Sequence, residues 1–209
     1  MILRSCIFAT FLFFPTIANA ATILNVPFTT QAPQNQWRLQ PFKDACEEAS
    51  IIMVNAYYQK KKLTKTSVRA EILNLVAYEM KSFGFHKDTN AGMTVKLANE
   101  RSLFSARLVE NAYIDDIRAE IDAGHPVIFH AFSPSLRNPH FKAPMNPYHV
   151  FVIIGYDDDS REFIVHDPGT TFGNKYRYSM DSLMEANHDW VPGTNSGDGA
   201  RLVVFTEKW

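Results

Sequence analysis

Residues 148–167 read YHVFVIIGYDDDSREFIVHD, and this stretch decides the fold. Residues 148–156 and 161–166 are rich in β-branched and aromatic side chains, and the polar run DDDS lies between them. This pattern predicts two antiparallel strands joined by a turn. In such a hairpin the numbers of opposed residues should add up to about 316 or 317, so His149 should face residue 167 or 168.

Residue 167 is an aspartate, so the predicted hairpin places a carboxylate opposite the imidazole of His149. Opposed side chains share one face of the sheet, with Cβ atoms roughly 5 Å apart. A carboxylate at that distance can hold one nitrogen of an imidazole and leave the other nitrogen for proton transfer. The hairpin therefore predicts that His149 and Asp167 act together.

The rest of the chain predicts helices first and strands afterwards. A helix is expected at 44–61, with Asp44 as its N-cap and Glu47 completing a capping box. The apolar spacing also predicts helices at 67–83, 94–101, 114–123 and 180–187, and strands at 126–132 and 201–206. This order indicates an α+β domain with a mostly antiparallel sheet.

Residues 1–20 have the composition of a secretory signal peptide. They contain Arg4, an apolar run of about ten residues and the small-residue ending Ala18-Asn19-Ala20. No later segment is long and apolar enough to span a membrane. We therefore expect an exported chain, periplasmic or extracellular, whose residues 21–209 form one domain.

Composition and charge exclude several classes of function. The formal charge is −1, and it becomes −2 without residues 1–20, so nothing favours nucleic acid or an anionic membrane as a partner. The sequence has no HExxH or CxxC motif and its histidines are scattered, so no metal and no cofactor are expected. We expect a monomer.

The two cysteines are Cys6 and Cys46, and Cys6 would leave with the signal peptide. A lone thiol in an exported protein is paired between molecules, buried and inert, or reactive. Cys46 falls in the first turn of the predicted helix, where free backbone N–H groups and the helix dipole favour a thiolate. Glu47 and Glu48 oppose that effect, although adjacent helical side chains point in different directions.

A nucleophilic cysteine needs a base and a site for the developing oxyanion. His149 is the favoured base because it opens a strand and has Asp167 opposite. The Cys46 backbone N–H is one oxyanion donor, and the side chain of Gln31 or Gln40 is available as the second. Together these residues predict acyl transfer by a Cys-His-Asp triad.

The stretches VPFTTQAP, DACEEASIIM, GHPVIFHAF, YHVFVIIGYDDD and FIVHDPG, in this order, resemble a known family. They are similar to the stand-alone bacterial relatives of the bacteriocin-leader-processing peptidases, the peptidase-C39-like family, over about residues 25–190. The resemblance implies a papain-like fold, in which a catalytic helix packs on an antiparallel sheet. It implies Cys46 as nucleophile, His149 as general base, Asp167 as orienting carboxylate and Gln31 as oxyanion donor.

Two departures from the family pattern are visible. In the transporter-fused members the glutamine stands nearer the cysteine, closer to the position of Gln40. Glu47 follows the cysteine where many relatives have glycine.

These observations predict an exported cysteine peptidase or amidase that hydrolyses a peptide or isopeptide bond. Its partner would be a peptide or protein substrate, including cell-wall peptides. A catalytically silent peptide-binding domain and a transpeptidase of the same fold are the alternatives. The proline-rich loop 133–147 is expected to overhang the cleft and to influence substrate choice, with a passive surface insertion as the alternative.

Overall fold

The computed structural model describes residues 21–141, 146–193 and 197–209. The predicted signal peptide, residues 1–20, lies outside the described residues. Six helices and seven strands are present in the described part of the chain. The helices are α1 (Cys46–Gln59), α2 (Lys65–Ser82), α3 (Ala91–Arg101), α4 (Ile114–Asp122), α5 (Ser133–Leu136) and α6 (Met180–Ala186). The strands are β1 (Thr22–Ile23), β2 (Phe104–Glu110), β3 (Val127–Phe132), β4 (Tyr148–Asp157), β5 (Glu162–His166), β6 (Tyr176–Ser179) and β7 (Leu202–Lys208).

All seven strands belong to one antiparallel sheet in the order β2-β7-β3-β4-β5-β6, and β1 pairs with the far end of β4. The sheet contains the four predicted strands, and the α+β prediction is confirmed. Strands β1, β2 and β6 were not predicted. Alternation of inward and outward side chains is weak in FSARLVE, the sequence of β2, because its second half is mostly exposed.

The central hairpin of β4 and β5 forms, but the predicted register is wrong. Asp157 pairs with Glu162, so the turn comprises residues 158–161 instead of 157–160. An irregularity between Ile153 and Gly155 then places one extra residue in β4, and Val152 pairs with His166. Extended by the same register, position 149 lies opposite residue 169.

The side chains of β4 point to both faces of the sheet and pack into a different apolar core on each face. Tyr148, Val150, Val152 and Ile154 belong to the core beneath α1 to α3, and Phe151, Ile153 and Tyr156 belong to the core on the other face. Helix α1 packs between the sheet and α2, and its residues from Cys46 to Val54 are all buried. This burial explains why its hydrophobic residues do not form one stripe.

The start of α1 differs from the prediction. The N-cap is Ala45, without a side-chain hydrogen bond, and the helix ends at Gln59. The carboxylate of Asp44 accepts a bond from Gln40 Nε2 at 2.6 Å. Asp44 is therefore engaged by the preceding segment and does not cap the helix. Cys46 becomes the first residue of α1.

Candidate active site

His149 and Asp167 are bonded to each other at the point where β4 begins and β5 ends. His149 Nε2 lies 2.7 Å from Asp167 Oδ1, and the two side chains are 8% and 0% exposed. The contact forms despite the different register because Asp167 follows the last residue of β5 and its side chain reaches back toward β4. The hairpin thus brings together the two residues that the sequence singled out.

The carboxylate of Asp167 receives three further hydrogen bonds. The Gly169 N–H donates to Oδ1 at 2.9 Å, and the Tyr178 hydroxyl donates to Oδ2 at 3.0 Å. Asn138 Nδ2 lies 3.4 Å from Oδ2 and donates to the Tyr178 hydroxyl at 2.7 Å. A buried carboxylate needs such donors to keep its charge. The result is a rigid orienting group for His149.

Two glycines make room for this pair. A Cβ on Gly169 would lie 2.7 Å from His149 Cε1 and 3.0 Å from its Nε2. A Cβ on Gly173 would collide with the backbone carbonyl of Asp167. Gly173 O also accepts the Asp167 N–H at 3.0 Å. At both positions other atoms lie too close for a Cβ, so glycine is required. The loop after β5 therefore fits closely around His149 and Asp167.

Cys46 lies beside the same end of β4. Its side chain is 4% exposed and belongs to the core cluster of Tyr148 and Val150. The Val150 backbone lies close enough to the sulfur to lower the pKa of the thiol, against the larger effect of burial. Val150 follows His149 directly, and β5 does not pair with β4 before Val152. The sulfur therefore lies near Val150, at a stretch of β4 that does not pair with β5.

The electrostatic state of the sulfur differs from the prediction. Burial raises the pKa of the Cys46 thiol well above its usual value, and the negative charge and hydrogen bond of Glu47 raise this pKa further. Cys46 Sγ donates to Glu47 Oε2 at 3.0 Å. The helix start was expected to favour the thiolate. Burial and an adjacent carboxylate outweigh the helix dipole in this arrangement, because the dipole effect is modest.

The two glutamines occupy different places. Gln31 lines the cleft, and its Nε2 donates to the backbone carbonyls of Phe42 and Lys43 at 3.1 and 2.7 Å. Its two N–H donors are thus directed at the segment that leads into α1. Gln40 Nε2 donates to Asp44. The oxyanion role of Gln31 stays a prediction.

A cleft of about 860 Å³ opens in front of His149. Its lining includes the aromatic residues Trp37, Phe141 and Phe172, and the exposed cations Arg38 and Lys43. The Phe141 ring meets the His149 ring edge-on, with centroids 5.2 Å apart. Apolar walls with a few polar groups are typical of ligand-binding clefts.

The sequence did not reveal three residues that hold the pair in place: Asn138, Gly169 and Tyr178. Asn138 belongs to the loop that was expected to overhang the cleft and to influence substrate choice, and Tyr178 belongs to the unpredicted strand β6. The only available signal was the PG after Asp167, which indicated a turn. Residues 142–145 of the loop lie outside the described residues.

Within the described ranges, no group of three or more His, Cys, Asp or Glu residues is arranged to hold a metal ion. Cys46 is a free cysteine. No helix in the described part of the chain has the length and hydropathy of a membrane span.

Sequence comparison connects the chain to one family. The profile of the Peptidase_C39 like family matches residues 23–196, which confirms the resemblance found in the sequence. No curated protein sequence matches the chain.

Comparison with solved structures finds a protein described as a C39-like peptidase from Bacillus anthracis. It aligns with a TM-score of 0.60 and 18% identity, over 91% of this chain and 99% of the other. The peptidase domain of Streptococcus ComA aligns with a TM-score of 0.49 and 15% identity, over 90% and 99% of the two chains. Xylellain, a cysteine protease from Xylella fastidiosa, aligns with a TM-score of 0.40 and 12% identity, over 94% and 100%. The papain-like α+β fold is confirmed.

Proposed function

Because this chain belongs to the Peptidase_C39 like family, we propose that it is a cysteine peptidase that uses Cys46, His149 and Asp167. The observation that carries the proposal is the buried 2.7 Å bond between His149 and Asp167 at the wall of a cleft. Cys46 packs with Tyr148 and Val150, the two neighbours of His149 on β4. The reaction would be hydrolysis of a peptide or isopeptide bond.

The bond to Asp167 determines the tautomer of a neutral His149. A carboxylate can only accept, so Nε2 carries the hydrogen and Nδ1 is the nitrogen with a free lone pair. Nδ1 can therefore take the proton of the thiol. The imidazolium that forms is stabilised by Asp167, whose other hydrogen bonds keep it in place.

The proposed reaction then follows from proton balance. The thiol proton passes from Cys46 to His149, and the sulfur attacks the substrate carbonyl to form a C–S bond. The oxyanion would be held by the Cys46 N–H, which lies in the first turn of α1, and by the Gln31 side chain after it turns from its carbonyl partners. His149 returns the proton to the leaving amine, and water later releases the acyl group from the sulfur.

The cleft supports a peptide as substrate. Its aromatic residues offer contact area for apolar side chains, and Arg38 and Lys43 favour acidic groups or a terminal carboxylate. Peptides of the cell wall have both peptide bonds and carboxylates, so they are included in the proposed substrate class. Export by residues 1–20 would place the enzyme where such substrates occur.

A peptide-binding domain without catalysis is the competing function. The observation in its favour is the burial of Cys46, whose thiol is bonded to Glu47 and is held protonated. A transpeptidase would use the same residues and would differ only in the acceptor that replaces water.

The test is cleavage of a peptide library and of peptidoglycan fragments by residues 21–209, followed by mass spectrometry. Cys46→Ala and His149→Ala should abolish product formation. His125→Ala is the matched control, because His125 bonds to Glu120 away from the cleft and should not be needed. Equal cleavage by Cys46→Ala would exclude the proposed mechanism, and absence of any cleavage would favour the binding domain. Products joined to an added amine would indicate a transpeptidase.

A further inference from the structure

The carboxylate of Glu47 is in contact with the sulfur of the preceding residue. Cys46 Sγ donates to Glu47 Oε2 at 3.0 Å, while Thr89 Oγ1 donates to Glu47 Oε1 at 3.4 Å. Glu47 is 1% exposed and Cys46 is 4% exposed. Neighbouring helical side chains normally diverge, so this contact depends on the orientation that Thr89 and the surrounding core impose. The thiol is held by a buried carboxyl group.

Four acidic groups from four parts of the chain lie near this pair. They are Glu48 on α1, Glu79 on α2, Asp88 before α3 and Tyr148 on β4. Burial raises the pKa of Glu47 as well, and the neighbouring charge of Glu48 raises it further. A second negative charge on Cys46 is unfavourable beside these groups. Sγ therefore keeps its proton, which it shares with Glu47 Oε2 in the hydrogen bond.

We propose that Glu47 is a positioning residue that keeps the Cys46 thiol in a protonated resting state and limits its conversion to a thiolate. The proposal rests on the proposed function, in which Cys46 is the nucleophile. In the resting state the S–H group donates to Oε2 of Glu47. For attack, the sulfur leaves Oε2, its proton passes to Nδ1 of His149, and Glu47 keeps its own protonation state.

The chemistry of the side chain at position 47 then controls the reactivity of the sulfur. The Glu47 carboxyl group accepts a hydrogen bond from the thiol, and any negative charge on it repels a thiolate. A glutamine has nearly the same shape, has no charge and can donate an N–H to a thiolate. Glu47→Gln should therefore lower the pKa of the thiol, and Glu47→Ala should lower it by removing the charge. A purely structural role of Glu47 would not predict a more reactive sulfur.

The experiment measures the rate of alkylation of Cys46 by iodoacetamide in residues 21–209 between pH 5 and 10, using intact mass. Alkylation forms a C–S bond from the thiolate and releases iodide, so its rate follows the thiolate fraction. Glu47→Gln should be alkylated at least about tenfold faster at pH 7, with the midpoint lowered by about one pH unit or more. Glu48→Gln is the matched control, because Glu48 is equally buried and its carboxyl group interacts with Glu79 on α2 instead of with the sulfur. This control should change the rate by less than about threefold.

An equal or slower rate in Glu47→Gln, or the same increase in Glu48→Gln, would overturn the proposal. The wild-type chain provides a second measurement that does not depend on how a variant folds. Its thiolate absorbance near 240 nm should appear only above the ordinary thiol midpoint of about 8.5. A midpoint below that value would also overturn the proposal.

The outcome is separable from the test of the proposed function. If Cys46→Ala still cleaves peptides while Glu47→Gln accelerates alkylation, the function is wrong and the restraint by Glu47 stands. If Cys46→Ala is inactive while alkylation does not respond to Glu47→Gln, the restraint alone is wrong.

Discussion

Gly169→Ala is a small change that should affect the chemistry of the site more than the fold. The added methyl would lie 2.7 Å from His149 Cε1, and ordinary contact begins near 3.4 Å. The imidazole must therefore move by about 0.7 Å if the loop does not give way. Its bond to Asp167 opposes this movement, because Asp167 is fixed by Gly169, Tyr178 and Asn138.

The expected loss can be derived from this displacement. Misplacing a catalytic group by about 1 Å can lower a rate about 100-fold, so we expect kcat/KM to fall between about tenfold and 100-fold. Overpacking costs about 1–3 kcal/mol, and replacement of a glycine returns about 0.4–1 kcal/mol through the unfolded chain. The free energy of unfolding should therefore fall by only about 1–2 kcal/mol.

The assay measures kcat/KM with the peptide that the wild-type chain cleaves fastest, together with urea unfolding of each variant. Gly92→Ala is the matched control, because its added methyl would meet only Asn90 Oδ1, at 3.5 Å, near the start of α3. Its activity should equal that of the wild type. Activity of Gly169→Ala within twofold of the wild type would refute the close fit around His149.

Three further predictions concern the orienting group, the buried acids and the cleft. Tyr178→Phe removes one donor from Asp167 and should lower kcat roughly tenfold with little change in KM; an equal change in KM would contradict the orienting role. Burial raises the pKa of Glu79 to about 8, whereas a glutamate in the unfolded chain has a pKa of about 4.3. Between these two pH values the carboxyl group is protonated in the folded state and ionised in the unfolded state. The wild type should therefore lose stability as pH rises from about 4 to about 8, and Glu79→Gln should stabilise it by a few kcal/mol more at pH 8.5 than at pH 5 in urea unfolding. An equal difference at the two pH values would contradict this assignment. Arg38→Glu combined with Lys43→Glu should raise KM for acidic peptides and not for neutral ones; equal effects on both would exclude a charge preference of the cleft.

The hairpin shows how much the sequence could predict. The strands 148–156 and 161–166 and the proximity of His149 to Asp167 followed from residue types and a polar turn. The register did not, because the position of the turn and the irregularity near Ile154 depend on how β1, β3 and β5 pair with β4. The bond formed despite this shift because Asp167 lies one residue beyond the end of β5, outside the paired register, and its side chain reaches back toward β4.

The surroundings of the sulfur were less predictable. The first turn of a helix favours a thiolate in isolation, and only tertiary packing decides whether it is buried. No sequence pattern indicates that α1 lies between the sheet and α2, or that the Glu47 side chain turns back onto Sγ. The roles of Asn138 and Tyr178 could not be predicted either, because each residue contacts Asp167 from a segment distant in sequence.

The most direct test of the central claim is the identification of an acyl group on Cys46. A nitrophenyl ester of the preferred peptide should acylate the enzyme faster than water releases it, because the leaving group is good. After acid quenching and digestion, mass spectrometry of the fragment that contains Cys46 should find a thioester in the wild type and much less in His149→Ala. Cleavage of the ester with the acyl group on another residue, or with equal labelling of Cys46 in His149→Ala, would contradict the account.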